Sequence, residues 1–256
     1  MADITDYDKS GYDYTKYWIG RQYEGVIEKI TLERMLPETG KNLLDLGGSF
    51  GRFMDLYTPR FTNATILDYS QNALDIAAKK AQSSQIKNLR TVQGDAYQTP
   101  FSDNSFDSIL LIRVLHHIED VDKLFTEINR ILTPNGTLIL ELANKIHLKA
   151  RIRAVLRGDF GFAKDERPFA HPTTTAADAG IFYNYHPRMI EKLLTQHDME
   201  IVKRKSVSNL RLPPGIKNKL PVSALVWLDQ LIAPVFTALA LGPSLWYQCQ
   251  KASPPN

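Results

Sequence analysis

The segment Leu43-Leu44-Asp45-Leu46-Gly47-Gly48-Ser49-Phe50-Gly51-Arg52-Phe53 constrains this chain more than any other. Its first residues are apolar apart from one acid, and they run straight into a glycine-rich turn. Such a run suits a short strand buried on both faces. A helix is expected to start near Gly51. Glycines at such a turn let the backbone bend and lie close to a bound group, so the layout suits a nucleoside-type ligand. About twenty residues further on, Thr65-Ile66-Leu67-Asp68 supplies a second strand ending in an acid.

The same alternation continues along the chain. Strands are expected over residues 43–46, 64–67, 89–93, 106–112 and 137–142, and helices over 21–36, 51–57, 71–82 and 121–132. Val26, Ile27, Ile30 and Met35 give the first helix its apolar stripe, and Pro37 stops it. Ser70 and Asp120 are good N-caps, and Pro134-Asn135-Gly136 reads as a turn. Strands alternating with helices imply an α/β fold with a parallel sheet covered on both sides. Ligands in such sheets bind beyond the carboxyl ends of the strands, near the point where strand order reverses. Asp68, Asp95, Arg113 and the glycine turn all end or follow expected strands, so they should gather at one edge. Beyond residue 142 the pattern predicts a basic helix over 145–157, a loop over 159–180, a helix from Pro187 to about residue 196, and strands over 199–206 and 245–249. An apolar stretch spans 220–241.

The chain has 256 residues, 43% hydrophobic and 23% charged, which suits one large domain. A single cysteine, Cys249, excludes an intrachain disulfide and a cysteine-rich metal centre. No metal site is expected, since the neighbouring His116 and His117 lack the i, i+4 spacing of helical ligands. Residues 1–142 carry 15 Lys and Arg against 20 Asp and Glu, whereas residues 143–256 carry 16 against 8. The basic half suits a solvated surface, an anionic substrate, a membrane surface or nucleic acid. Residues 1–13 lack the basic start and apolar core of a signal peptide, so the expected setting is cytoplasmic, with peripheral membrane contact as an alternative.

Asp45-Leu46-Gly47-Gly48-Ser49-Phe50-Gly51 resembles the first motif of the class I S-adenosylmethionine-dependent methyltransferases. Leu67-Asp68-Tyr69-Ser70 resembles their ribose-binding motif, and Gln93-Gly94-Asp95-Ala96 their adenine-contact motif. Phe106-Asp107-Ser108-Ile109-Leu110 through Leu115-His116-His117-Ile118 resembles the fourth-strand motif, and Leu132-Thr133-Pro134-Asn135-Gly136-Thr137-Leu138 the turn into the fifth strand. The likeness covers roughly residues 40–142 in order and is strongest to the small-molecule branch that includes ubiquinone- and menaquinone-pathway enzymes. It implies a Rossmann-like, seven-stranded, mostly parallel sheet with helices on both faces. It also implies S-adenosyl-L-methionine as cofactor, with S-adenosyl-L-homocysteine as product. On that resemblance the cofactor contacts are Asp45, Gly47, Gly48, Ser49, Gly51, Asp68, Tyr69, Asp95 and Ala96. Ser49 departs from the family pattern, where glycine is usual. A nicotinamide dinucleotide fits poorly, because Gly47-x-Ser49-x-x-Arg52 breaks the Gly-x-Gly-x-x-Gly rule.

The resulting division is one domain over 1–256: a lid and first helix over 1–40, a cofactor core over 41–142, and an acceptor side with the last strands and an apolar helical insertion over 143–256. Tyr12, Tyr14, Tyr17, Trp18 and Tyr23 crowd the N-terminal part. Tyr17 and Arg21 are candidates for a lid over the cofactor, with an aromatic anchor for the first helix as the alternative. Arg113 suits the cofactor carboxylate or an anionic acceptor. His116 and His117 are candidate general bases, because imidazole titrates near neutrality. Tyr185 and His186 form a second candidate pair, with helix capping and aromatic packing as the competing role. The stretch 220–241 holds one charge, Asp229, and is broken by Pro221 and Pro234. It is expected to pack in the core or a homodimer interface, to roof a greasy substrate through Trp227 and Phe236, or to lie shallowly on a membrane. The expected reaction is methyl transfer to oxygen or carbon of a small, hydrophobic acceptor, with no nucleic-acid partner favoured. The competing readings are an RNA or protein methyltransferase and a cofactor-binding module without transfer activity.

Overall fold

Continuous apolar runs in the central strands require a sheet covered on both faces. The structure, a computed structural model, describes residues 17–172, 181–217 and 219–252. Helix α1 (Gln22–Met35) leads to strand β1 (Gly40–Leu46), α2 (Met54–Tyr57), β2 (Phe61–Asp68), α3 (Gln71–Ser83) and β3 (Leu89–Gln93). Next come β4 (Phe106–Leu111), a 3-10 turn (Leu115–His117), α4 (Val121–Ile131), β5 (Leu132–Ala143) and α5 (Leu148–Leu156). The chain continues through β6 (Phe169–Pro172), β7 (Ile181–Asn184), α6 (Pro187–Gln196), β8 (Met199–Val207), α7 (Pro214–Lys217), α8 (Val222–Ala238) and β9 (Ser244–Lys251). Seven strands form one sheet in the order β3-β2-β1-β4-β5-β9-β8. Strands β1 to β5 pair in parallel, and β9 runs antiparallel between β5 and β8. This is the Rossmann-like, mostly parallel sheet that the sequence leads one to expect. Strand order reverses between β1 and β4, which puts the ligand crevice beyond their carboxyl ends.

Alternate residues divide between two cores, as a pleat of period two requires. Leu44, Ile109, Leu138, Leu140 and Tyr247 pack with α4 and α6. Leu43, Leu110, Ile139 and Trp246 pack with α1, α3 and α8 on the other face. Helix α4 places Val121, Leu124, Phe125, Ile128 and Ile131 on one buried stripe, at the spacing of an amphipathic helix. Phe125 is fully buried, so Phe125→Ala should cost about 3–5 kcal/mol of stability through lost burial and an unfilled cavity. Denaturant titration measures that loss; a cost below about 1 kcal/mol, the level of a surface change, would mean that α4 does not pack as described.

Local chemistry sets several boundaries. Ser70 Oγ accepts from the Ala73 amide and Asp120 Oδ1 from the Lys123 amide, capping α3 and α4 as expected. Pro187 occupies the first turn of α6. The basic helix starts later than the sequence suggests, at Leu148, because the His147 side chain caps it by accepting from the Ala150 amide. The expected turn at Pro134–Gly136 falls within the bounds of β5. Pairing there jumps from Phe106↔Leu132 to Ser108↔Thr137, and Asn135 takes a left-handed φ of 61°. In α1 the buried residues are Tyr23, Ile27, Glu28, Thr31, Leu32 and Met35, while Val26 is exposed, so the apolar stripe expected at Val26 lies one position off.

Two corrections concern the second half. The stretch expected as loop over 159–180 contains β6, which pairs antiparallel with β7 to make a separate hairpin. The apolar stretch 220–241 forms α8, which packs against α1 and β8. It does so through Leu225, Val226, Asp229 and Ala233, and the Tyr23 hydroxyl donates to Asp229 Oδ1 at 2.6 Å. Trp227 is 64% exposed, so it does not line a pocket as expected. No helix of the described residues is long and apolar enough to cross a membrane.

Candidate active site

The turn after β1 is shaped by backbone that side chains would obstruct. Gly47 and Gly51 hold φ of 74° and 68°. A Cβ at Gly47 would come within 2.4 Å of Val114, and one at Gly51 within 2.2 Å of Met54. These left-handed residues also delay the helix, which starts at Met54 instead of Gly51. Ser49 itself is left-handed, with φ of 48°, a conformation glycine would adopt without cost. Its backbone has a definite task. The Ser49 amide donates to Asp68 Oδ2 at 2.8 Å, and the Ser70 amide donates to Asp68 Oδ1 at 3.0 Å. The carboxylate thus clamps the glycine turn to the end of β2. A carboxylate oxygen can accept more than one hydrogen bond, so this clamp is compatible with a ligand hydroxyl at the same group.

The end of β3 joins the same edge. The Gly94 amide donates to the Asp68 carbonyl at 3.0 Å, and Asp95 Oδ1 accepts from the Tyr97 amide at 2.8 Å. Ala96 is partly buried beside it. Tyr69 follows Asp68 and is exposed, which leaves its ring able to cover a flat group.

Asp45 lies beneath the turn and is 3% exposed. A Cβ on Gly48 would sit 2.6 Å from its carboxyl carbon. Burial pushes this carboxyl up to about 7; the Tyr57 hydroxyl and Arg52 charge oppose that shift, and Asp68 adds to it. Its Oδ2 has no hydrogen-bond partner among the described residues. A buried acid with one unpaired oxygen beneath the turn suits a ligand that brings a cationic group.

Tyr17, Arg21 and Arg113 come together past the end of β4. The Arg113 guanidinium donates to the Tyr17 hydroxyl, and the Arg21 guanidinium lies 4.0 Å from the Tyr17 ring centroid. Arg113 takes φ of 61° just past the end of β4, an uncommon conformation for a residue with a side chain. Tyr12 and Tyr14 lie outside the described residues. Sequence reasoning missed Glu28, which binds both Arg52 and Arg113 and is almost fully buried on α1. It also missed Arg52, stacked 3.7 Å from the Trp18 ring centroid. The available signal was an acid on the core-facing side of α1, next to Ile27.

The segment after β4 carries His116 and His117, whose rings lie 4.0 Å apart. His116 is buried and stacks on Phe182 of β7 with centroids 4.3 Å apart. Burial holds its pKa well below the usual imidazole value, and the His117 and Arg113 charges add to this. Burial, with Arg113, lowers His117 to about 4. Both shifts favour the neutral ring and make each imidazole a weak base, suited to a hydrogen bond more than to taking up a proton. Strand β7 packs against this segment.

Tyr185 and His186 are held away from such chemistry. Tyr185 is fully buried and donates its hydroxyl to the Ile118 carbonyl. His186 Nδ1 accepts from the Arg188 amide at 3.1 Å, and its Nε2 lies 3.2 Å from the Ala163 carbonyl. The first is a strut and the second a cap on α6, which corrects the expectation that either is a reactive group. The described residues contain no cluster of three or more metal-binding side chains.

Residues 44–140 match the methyltransferase domain family. The chain is 32% identical over 98 residues to an uncharacterised methyltransferase of Bacillus subtilis, covering 38% of this chain and 39% of that protein. It is 28% identical over 140 residues to a demethylmenaquinone methyltransferase of Thermobifida fusca, covering 55% of this chain and 59% of that protein. The chain therefore spans less than two-thirds of these relatives. A solved S-adenosylmethionine-dependent methyltransferase from Methanosarcina mazei shares the fold at 19% identity, with a TM-score of 0.61 over 88% of this chain and 98% of that one. Residues 44–140 thus match a methyltransferase domain, and the chain shares its fold with a solved S-adenosylmethionine-dependent methyltransferase.

Proposed function

We propose that this protein transfers a methyl group from S-adenosylmethionine to oxygen or carbon of a small hydrophobic molecule. The observation that carries the reading is the glycine turn clamped by Asp68 at the point of strand reversal, with the unsatisfied Asp45 oxygen beneath it. These residues fit the cofactor. The turn backbone of residues 47–51 would face the adenosyl group, and the Asp68 carboxylate would accept the ribose hydroxyls. Asp95 and Ala96 would meet the adenine edge, and Tyr69 its face. Asp45 would answer the amino group, with Arg21 and Arg113 near the carboxylate. When bound, the cofactor supplies an already activated methyl group.

The protein's own part is mainly alignment and exclusion of water. The Tyr17, Trp18 and Arg113 cluster closes one side of the crevice, and the hairpin bearing Phe182 closes another. Burial and Arg113 lower His117 to about 4, which makes it a weak base, so its part is to orient the acceptor by a hydrogen bond. The aromatic rings of Tyr17, Trp18 and Phe182 suit a flat or apolar acceptor, which is the reason for preferring a small molecule to RNA or protein. Incubating a cell extract with methyl-labelled cofactor and separating it into organic-soluble, RNA and protein fractions tests this. Label in the organic fraction supports it; label in RNA or protein favours those classes, and no transfer favours a binding module.

The buried Asp45 gives a pH signature. Its raised pKa means that the free protein holds a proton there below about pH 7, whereas a cationic ligand group needs the carboxylate. Affinity for the cofactor should therefore fall about tenfold per pH unit below about pH 7, and fall again above about pH 8 as the ligand's amino group loses its proton. Calorimetry across that range checks this. A flat profile in the wild type, or the same slope in Asp45→Asn, would remove Asp45 from the cofactor site.

A further inference from the structure

The apolar surface outside the crevice is arranged in two stripes. Along α8 and its C-cap, Trp227, Leu231, Val235 and Leu239 follow one another at every fourth residue and are all exposed. On α5, Ile152, Val155 and Leu156 are exposed, and Leu156 is 81% so. Ile152 and Leu156 lie on the side of α5 opposite the buried Ala154, as about 100° per residue dictates. The Leu148 amide of α5 donates to the Leu241 carbonyl at 2.8 Å, and Arg151 donates to the Leu239 carbonyl at 2.9 Å. The start of α5 is therefore joined to the end of α8, beside the last residue of its stripe.

Charge selects what covers it. Residues 145–157 hold five Lys and Arg and no acid, and residues 203–219 hold six and no acid. The one charge on α8, Asp229, is buried against Tyr23 and Asn209. Lys149 and Arg153 are exposed on α5 beside its apolar stripe. A bare apolar stripe beside exposed cations such as Lys149 and Arg153 is well suited to a bilayer with anionic headgroups. We propose that α5 and α8 form a docking face for an anionic membrane surface, with the apolar side chains entering the headgroup region and the flanking cations pairing with phosphates. This does not depend on the methyl-transfer reading.

Flotation of the full chain with phosphatidylcholine vesicles, with and without phosphatidylglycerol, tests it. The protein should float with the anionic vesicles at least about tenfold better than with neutral ones, and added salt should release it. Leu231→Asp, and separately the pair Lys149→Gln and Arg153→Gln, should each cut flotation about tenfold. These side chains are exposed, so thermal unfolding should be unchanged. Trp227 emission should shift to the blue with anionic vesicles, and the shift should vanish in Trp227→Gln. Equal flotation with neutral vesicles, no flotation, or flotation indifferent to the substitutions would overturn the proposal. So would a stable dimer whose Trp227 emission follows protein concentration instead of lipid, because the face would then be a subunit interface.

Discussion

Asp68→Ala is expected to weaken S-adenosylmethionine binding by about a hundredfold to a thousandfold in calorimetry, with the fold intact by circular dichroism. The expectation rests on two layers of contact. The carboxylate receives the Ser49 and Ser70 amides, so its loss frees the glycine turn from β2. Its oxygens are also the proposed ribose acceptors. Hydrogen bonds to a charged group contribute roughly 1.5–3 kcal/mol each, and losing two costs about 3–4 kcal/mol or more, which is the stated range in affinity. Asp68→Asn keeps one acceptor oxygen and should retain part of the binding. An alanine variant within about threefold of wild type, less than one such bond, would show that this edge does not hold the ribose.

Glu28→Ala is expected to cost stability more than any surface substitution. Glu28 is buried and pairs with Arg52 and Arg113, whose side chains are only 14% and 27% exposed. Removing the acid takes from two largely buried cations the carboxylate they share; breaking a buried pair in this way costs about 3–5 kcal/mol. For a chain of this size the melting temperature should drop by about 10 °C. Glu28→Gln keeps hydrogen-bond acceptance without the charge and should fall between the two. Because Arg113 also holds the Tyr17 hydroxyl, the variant should lose cofactor affinity as well as stability. An unchanged melting temperature would mean that the Glu28 pairings contribute nothing to the fold.

The cofactor half of the molecule was legible because each of its elements is stated locally. Strands buried on both faces leave continuous apolar runs, such as Ile109-Leu110-Leu111 in β4. Ser70 and Asp120 announce helix starts, and Pro187 marks a first turn. The part beyond β5 was less legible for physical reasons. Strand β6 is four residues long and largely exposed, so it has no apolar alternation to reveal it. Strand β7 pairs only with β6 in its sheet, and its role depends on the long-range stack of Phe182 on His116. Helix α8 is apolar nearly all round, so its composition does not say which side is buried; the Tyr23–Asp229 hydrogen bond decides that across 206 residues. Tyr185 and His186 read as reactive types in sequence, and only their buried, occupied polar atoms show that they are structural.

A crystal structure of the protein with S-adenosylhomocysteine tests the central claim most directly. The expected result is the adenosyl group against the backbone of residues 47–51, with ribose oxygens at hydrogen-bond distance, about 2.5–3.0 Å, from Asp68. The amino group would sit beside Asp45 and the sulfur would point towards the segment holding His116 and His117. A ligand bound elsewhere, or no ligand at this edge at saturating concentration, would contradict it.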